Sequence, residues 1–381
     1  MICDYCNSKN IEKHYKSETT QRDISICLCK ECDLIQSWPR LSGVYGRVVS
    51  ISGGADWGNI RYGKLQSLER SIKFMEKHIN LNNYNKFLDI GANRGSFIKF
   101  IRNKYNKKNI TGIENDKIIF DEELKDLKDI NLINEKFENV QFIEKFDFIH
   151  SSHTLEHLVS ASKAMEIKRE IIDPNGVMYL EVPNVAAIEI EDNITEFFID
   201  KHLFHFSQET LEAYIHKYDF DIIAKEIFPT YLCYLLKPSD KKNDKKIHLN
   251  KNEKTVLNIK KYGNRLKSWV GEASEFKKNA NSLSAKGSLA IWGIGRIFDV
   301  LWKNGAFKDV KVDLFIDKNL SQFLDALKGE KINNPDKLKE TDIKNIIVCS
   351  DVFFEEIKEE IKGISENINV YQYKALLKKT D

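Results

Sequence analysis

No stretch of this 381-residue sequence approaches the roughly 20 apolar residues needed to cross a bilayer, so no membrane-spanning helix is expected. The opening residues, MICDYCNSKN, hold no apolar segment of the secretory kind. These two absences point to a soluble, cytoplasmic protein whose thiols stay reduced. A dominant charge is missing too, with 59 Lys and Arg against 57 Asp and Glu. Nucleic acid is therefore not an expected partner unless basic residues cluster locally, and one run offers this, Lys241 to Lys254 (KKNDKKIHLNKNEK). Asn and Asp interrupt that run, which reads as a solvated linker. No internal repeat of short period is found.

The length exceeds what one hydrophobic core comfortably serves, and 42% apolar residues suffice for two or three ordinary cores. Five of the seven cysteines fall within the first 32 residues. Cys3-x2-Cys6 and Cys29-x2-Cys32 form two knuckles, each able to present two thiolates, and together they complete a tetrahedral Zn2+ site. With all four positions taken by protein, the zinc is expected to be structural and to supply the folding energy of a module too small for its own core. Cys27 is a fifth thiol, but the paired spacing favours Cys29.

Beyond a Gly-rich stretch from Gly43 to Gly63, Leu65, Leu68, Ile72, Met75 and Ile79 recur at helical spacing. Strand and helix patterns then alternate: KFLDIG, SFIKFIRNKY, NITGIE, IIFDEELKDLK, INLI, FDFIHS, a helix from about Leu155 to Ile172, and GVMYLEVP. Such alternation implies right-handed crossovers and a parallel sheet. A helix over Gln208 to Lys217 follows, then two strands in FDIIAKEIFPTYLCYLLK joined by a turn too short for a crossover helix. A long polar helix is expected over 250–284, and at Gly287 the pattern restarts with SLAIWGIG, VKVDLFID, KNIIVCS and NVYQY as strands. The fold class is α/β throughout, divided as a zinc-ribbon-like module (1–42), a seven-stranded Rossmann-like domain (43–240), a linker and helix (241–285) and a second Rossmann-like domain (286–381).

Phe87 to Gly95 (FLDIGANRG) is a buried strand entering a small-residue turn that opens a helix. Gly91 and Gly95 let backbone approach a ligand and leave the helix N-terminus free to face it. About twenty residues on, Glu114 ends the next strand, where a carboxylate can accept both hydroxyls of a ribose. The Gly-x3-Gly spacing resembles the first motif of class I S-adenosylmethionine-dependent methyltransferases, whose usual glycine is replaced by Asn93, a residue tolerant of left-handed backbone. The resemblance implies S-adenosylmethionine as cofactor, with its amino-acid end on Gly91, Ala92, Asn93 and Gly95, its ribose on Glu114, and Asp89 orienting the turn or reaching the ammonium through water. The terminal antiparallel strand pair is the layout of the same class.

The fourth strand ends in His150-Ser151-Ser152-His153-Thr154-Leu155-Glu156-His157, beyond the carboxyl end of the sheet where ligands bind. Ser152 and His153 are expected against the cofactor, with Glu156 and His157 beside the reaction. His153 and His157 would share a helix face at i, i+4, a metal pair for which no third ligand is evident. Thr154–Leu158, Pro174–Gly176 and Glu181–Asn184 resemble a methyltransferase subgroup that acts largely on small molecules. Asp200-Lys201-His202-Leu203-Phe204-His205-Phe206-Ser207 resembles a segment of the sugar C-methyltransferases of deoxysugar pathways, which also join a CxxC/CxxC zinc module, a methyltransferase core and a Rossmann-like C-terminal domain. Matched position by position, their catalytic base falls on His202 and Phe206-Ser207 is preserved. The preceding His-Glu becomes Asp200-Lys201, which leaves C-, O- and N-methylation equally open. The resemblance implies a nucleotide-linked sugar as substrate, with Tyr62, Asn184 and His205 on its side, and a role in surface-glycan or deoxysugar synthesis. In the second Rossmann-like domain Gly293, Gly295 and Arg296 are candidates for a diphosphate, although Phe298 occupies the third fingerprint position, and Asp317 stands where a ribose-binding acid could sit. The rival readings are an RNA methyltransferase, some of which carry a cysteine-rich module, and a nucleotide-sugar binding protein without catalysis.

Overall fold

The computed structural model describes residues 1–16, 24–40, 63–190, 197–199, 201–241, 252–322, 324–351 and 353–378. Tyr62, Asp200, nearly all of the Gly43–Gly63 stretch and residues 242–251 of the Lys241–Lys254 run lie outside them. Strands β1 (Ile11–Lys16), β2 (Ser25–Cys29) and β3 (Ile35–Trp38) pair antiparallel in sequence, carrying the cysteine knuckles at their ends. Helix α1 (Gly63–His78) follows and buries Ile72 and Met75, two members of the anticipated apolar face.

The central sheet comprises β4 (Phe87–Ile90), β5 (Ile110–Ile113), β6 (Asn131–Ile133), β7 (Phe146–Ser152), β8 (Ile172–Pro183), then β10 (Phe220–Ile227) and β11 (Tyr231–Pro238). Helices α2 (Ser96–Tyr105), α3 (Lys117–Glu123), α4 (Ala161–Ile171) and α5 (Gln208–Lys217) cross between strands. The order is β10-β11-β8-β7-β4-β5-β6, with β11 antiparallel to both its neighbours and the remaining pairings parallel. This is the expected parallel sheet ending in an antiparallel pair. β4 and the Val177–Val182 stretch of β8 are wholly buried, as central strands covered on both faces must be.

The single helix anticipated over Leu155–Ile172 is instead a 3-10 turn at Leu155–His157 and a separate α4 beginning after Ser160, whose hydroxyl caps it. The break has a cause in Thr154. Its hydroxyl donates to the Ile90 carbonyl (2.9 Å), pinning the chain to the end of β4 before a regular helix can start. His153 takes a left-handed backbone (φ 49°), so it and His157 do not share a helix face. The helix after β5 is also shorter than anticipated, ending at Glu123.

β9 (Phe204–His205) does not join the central sheet but pairs with β3, so the cysteine module gains its fourth strand from the chain beyond β8. The module also lacks a separate core. Cys3, Tyr5, Cys29, Cys32 and Leu34 are buried in one cluster with Leu88, Ile149, Leu180 and Tyr214. Asp4 fastens the arrangement, its carboxylate accepting from Arg40 Nη1 (3.0 Å), the Ser162 amide (2.8 Å) and the Tyr214 hydroxyl (3.0 Å). By packing, the described residues up to Gly263 form one unit and those from Asn264 a second.

Helix α6 (Asn252–Lys286) carries the chain into the second unit. Its sheet has the order β14 (Ala326–Leu327), β15 (Glu330–Asn333), β13 (Leu314–Ile316), β12 (Leu289–Trp292), β16 (Asn345–Val348), β17 (Asn369–Gln372), parallel apart from β14. Helices α7 (Arg296–Lys303), α8 (Phe354–Ile364) and α9 (Tyr373–Leu376) accompany it. The β14–β15 hairpin is the one strand pair here that periodicity did not announce. Among the tests the fold invites, Asp4→Ala should lower the free energy of unfolding in urea by about 2 kcal/mol, because a half-buried guanidinium, a buried hydroxyl and an amide lose a shared acceptor; a loss below about 0.5 kcal/mol would show that the module does not lean on this residue.

Candidate cofactor and acceptor site

At the end of β4 the chain turns through Gly91 (φ 76°), Asn93 (φ 49°) and Gly95 (φ 68°), three left-handed residues within five positions. Gly91 is obligatory on two counts, since a Cβ there would collide with the Thr154 hydroxyl and the backbone is strained for any side chain. The amides of Gly91 and Ala92 both donate to the Ile113 carbonyl, at 2.9 and 2.8 Å, which lashes the turn to the end of β5. Glu114, one residue on and buried, accepts the Asn93 amide on one oxygen and the Asp116 amide on the other, each at 2.8 Å. Gly95 then leads into α2, whose first-turn amides face the same side. Asp89 lies beneath the turn, bound to His150 Nδ1 at 2.7 Å, with that ring stacked on Phe97 (centroids 3.9 Å apart).

At the end of β8, Glu181 is fully buried and gathers Arg70 (2.7 Å), Ser71 (2.9 Å), the Tyr179 hydroxyl and His153 Nε2 (3.0 Å). Burial would raise its pKa, but His153, Tyr179 and Arg70 bring it down to about 2. His153 also points Nδ1 at Glu156 (3.5 Å). Burial works against its charge, yet the two carboxylates Glu156 and Glu181 hold its pKa up at about 10. This node escaped the sequence reading. Glu181 entered the sequence reading only as part of the Glu181–Asn184 motif, and Arg70 and Ser71, over a hundred positions away, gave no signal.

Glu156, almost completely buried, receives no hydrogen bond on either oxygen from the described residues. His157 Nε2 stands 3.7 Å from it, while Nδ1 of the same ring lies 2.8 Å from the Lys201 carbonyl. His202 crosses His157 edge-on, ring centroids 4.9 Å apart. The three candidate catalytic residues thus converge, from a turn after β7 and a segment after β8. Behind them Lys168 is buried in α4, its amine 3.0 Å from the Ser151 hydroxyl; burial pulls its pKa down to about 7 against the attraction of Glu156 and Glu138.

Two acceptor-side candidates border a cavity of about 290 Å³ walled by Asp33, Ile35, Asn184, His205, Gln208 and Asn258, among others. The side-chain amide of Asn184 accepts from the Ala186 amide (3.0 Å) and donates to the Phe228 carbonyl (2.8 Å), which fixes its orientation in the wall. The Ser37 hydroxyl donates to the His202 carbonyl and lies 3.0 Å from His205 Nε2, which fixes that nitrogen as the donor. Burial lowers the His205 pKa to about 3, so the ring is neutral. Ser152 ends β7 half-buried, its carbonyl accepting from the Thr154 hydroxyl at 3.1 Å.

The four thiols Cys3, Cys6, Cys29 and Cys32 lie within 4.8 Å of one another, with Cys3–Cys32 and Cys6–Cys29 at 3.5 Å. A tetrahedron with bonds of about 2.3 Å has edges of about 3.8 Å, so the set fits a zinc ion. Cys27 is outside it, its thiol turned to Met1 and the Ser25 carbonyl. In the second unit Gly293 (φ 96°) passes the Cys349 carbonyl so closely that a Cβ would stand 3.2 Å from it, while Gly295 is open and Arg296 starts α7. Asp317 accepts the amides of Ile294 (3.0 Å), Asn319 (3.0 Å) and Leu320 (2.8 Å), a set of duties to its own loops.

Residues 61–225 match the family model of a methyltransferase domain, and residues 286–375 match the one described as C2185-like, N-terminal. Solved structures similar to part of the chain include an S-adenosylmethionine-dependent methyltransferase from Clostridium acetobutylicum ATCC 824, at 15% identity over 44% of this chain and 90% of that one (TM-score 0.38). The PH0226 protein from Pyrococcus horikoshii OT3 matches at 15% over 52% and 99% (TM-score 0.42). The glycopeptide N-methyltransferase MtfA, complexed with S-adenosyl-L-homocysteine, matches at 13% over 45% and 86% (TM-score 0.35). No curated protein matches the chain. The matched methyltransferase domain runs from before β4 into β10 and so takes in the strands of the central sheet up to that point.

Glu181 offers a test of the charge node. Its pKa is lower folded (about 2) than unfolded (4.5), so its stabilisation is complete above about pH 4.5 and disappears as pH falls toward 2. Glu181→Gln should therefore differ from the parent by on the order of 3 kcal/mol near neutrality, and the two unfolding free energies should converge on acidification. Parallel pH curves would show that the carboxylate's charge carries none of this.

Proposed function

We propose that this chain transfers a methyl group from S-adenosylmethionine to a small-molecule acceptor, a sugar and in particular a nucleotide-linked one, in the assembly of a surface glycan or deoxysugar. The observation that carries the reading is the left-handed corner Gly91–Gly95 locked to Glu114. The corner presents small residues and the open N-terminus of α2 to one side, as binding of an amino-acid carboxylate requires. Glu114 holds its carboxylate at the end of β5 through the Asn93 and Asp116 amides, the place where a ribose diol would be met. Gly91, Ala92, Asn93 and Gly95 would hold the cofactor's amino-acid end, with Asp89 steadied by His150 beneath, and Ser152 and His153 closing the other side. Bound there, the cofactor supplies an electrophilic methyl on a positive sulfur.

The chain's own work is then positioning and proton removal. Proton removal falls to the cluster of Glu156, His157 and His202, with His202 at the place of the base in the sugar C-methyltransferases. Tyr62, Asn184 and His205 belong to the acceptor side, and Gly293, Gly295 and Arg296 are proposed to meet a diphosphate in the C-terminal Rossmann-like domain. The Cys3–Cys6–Cys29–Cys32 module would hold structural zinc. The domain division 1–42, 43–240, 241–285 and 286–381 and a cytoplasmic location complete the reading.

The decisive experiment incubates the protein with labelled S-adenosylmethionine and a panel of nucleotide-sugars and reads products by mass spectrometry. One methyl mass on a sugar is expected. His202→Ala should lower kcat by about 100-fold or more while calorimetric affinity for S-adenosylmethionine is kept. No mass gain on any sugar overturns the acceptor class, and no cofactor binding overturns the whole reading.

A further inference from the structure

Glu156, His157 and His202 pose an electrostatic problem that the fold solves only in part, through His153 and Lys168. Because a carbonyl oxygen can only accept, the 2.8 Å contact between His157 Nδ1 and the Lys201 carbonyl requires a proton on Nδ1. In the neutral ring Nε2 then carries a lone pair, and that lone pair faces a Glu156 oxygen 3.7 Å away. Two electron-rich atoms confront each other in a place where Glu156 is 1% exposed and receives no hydrogen bond from the described residues on either oxygen. His202 stands over the same gap, and one ligand atom from each of the three residues lies within 4.8 Å of the others. Something positive belongs in the middle.

We propose that Glu156, His157 and His202 bind a divalent first-row metal ion, distinct from the four-cysteine site, on which the acceptor is held through two neighbouring oxygens. One carboxylate and two imidazoles form a donor set that suits zinc, manganese, iron or cobalt. The histidine is also oriented as metal-binding histidines are, with the far ring nitrogen donating to a backbone carbonyl that fixes tautomer and direction. Three protein ligands leave further coordination positions open, as a catalytic rather than structural ion needs. His153 Nδ1, 3.5 Å from Glu156, and the buried Lys168 share the charge of that carboxylate, which favours an exchangeable ion over a permanent one.

The inference rests on the methyl-transfer reading and deepens it. It assigns the acceptor class, a molecule with adjacent oxygens such as a vicinal diol, and turns proton removal into a property of the cluster as a whole. A metal-held hydroxyl is acidified. Its proton leaves to solvent, the freed oxygen pair forms the bond to the methyl carbon, and the pair of the breaking carbon–sulfur bond stays on sulfur, giving S-adenosylhomocysteine.

Manganese is the probe, since thiolates are poor ligands for it and the cysteine module will not compete. The full chain is titrated into Mn2+ and the free aquo-ion signal is followed by electron paramagnetic resonance, with calorimetric binding of S-adenosylmethionine measured on the same samples. The expected result is one bound Mn2+ per chain, with affinity reduced about 100-fold or more in His202→Ala and in Glu156→Gln while cofactor affinity is kept. Cofactor affinity also reports folding in both variants. If the parent protein leaves the Mn2+ signal free while binding S-adenosylmethionine, the gap holds only a proton and the metal site is wrong, although the methyltransferase reading stands. Equal Mn2+ affinity in parent and both variants would likewise overturn it.

Discussion

A carboxylate at the end of the second strand holds the corner after the first, and much of the site follows from that constraint. Glu114 accepts the Asn93 amide, and without a fixed acceptor there the left-handed run Gly91–Asn93–Gly95 would have no reason to stay in one shape. The corner sets where α2 begins, and Thr154, bonded to Ile90, fills the space above Gly91 that a side chain would occupy. That bond in turn stops β7 from running straight into a helix and produces the short turn carrying Glu156 and His157. The same device recurs in the second unit, where Asp317 accepts the Ile294 amide beside Gly293. Each sheet has met the same local problem, an abrupt strand-to-helix turn beside a parallel neighbour, with the same chemistry.

Buried charge is concentrated at the carboxyl edge of the central sheet. Glu181, Glu156 and Asp89 are all nearly inaccessible, and each faces a histidine. Placing ionised groups there is costly unless they are paired. Glu181 is satisfied four times over, whereas Glu156 is not satisfied by hydrogen bonds at all. A protein that solves one such problem thoroughly and leaves its neighbour open has kept the second for a ligand. That difference between adjacent carboxylates is a functional signal carried by no sequence motif.

Short-range features were readable from the sequence, and long-range ones were not. The parallel sheet with its terminal antiparallel pair was implied by alternating patterns and one short hairpin connection, and the corner by glycines four apart. The choice of Cys29 over Cys27 followed from spacing and agrees with the four clustered thiols. Periodicity carried a helix through Leu155–Ser160, because nothing local reveals that Thr154 will bond to Ile90, 64 positions earlier. The pairing of His157 with His202, 45 residues on, has the same long-range character, and the sequence set Glu156 beside the reaction without showing that it would be buried.

The cysteine module belongs to the site as well as to the fold. Its third strand pairs with β9, and β9 sits between His202 and the α5 cap at Ser207. Ser37 of that strand donates to the His202 carbonyl and accepts from His205, so the backbone of a candidate catalytic residue is held by a strand of the module. Asp33 and Ile35, immediately after the second knuckle, wall the cavity next to His205. The four-thiol cluster at one end of this strand is therefore tied, through one antiparallel pairing, to the segment that carries His202 and His205. Loosening that cluster should be felt first in the placement of these two histidines, because the module shares the core of the central sheet and has none of its own to keep β3 in place.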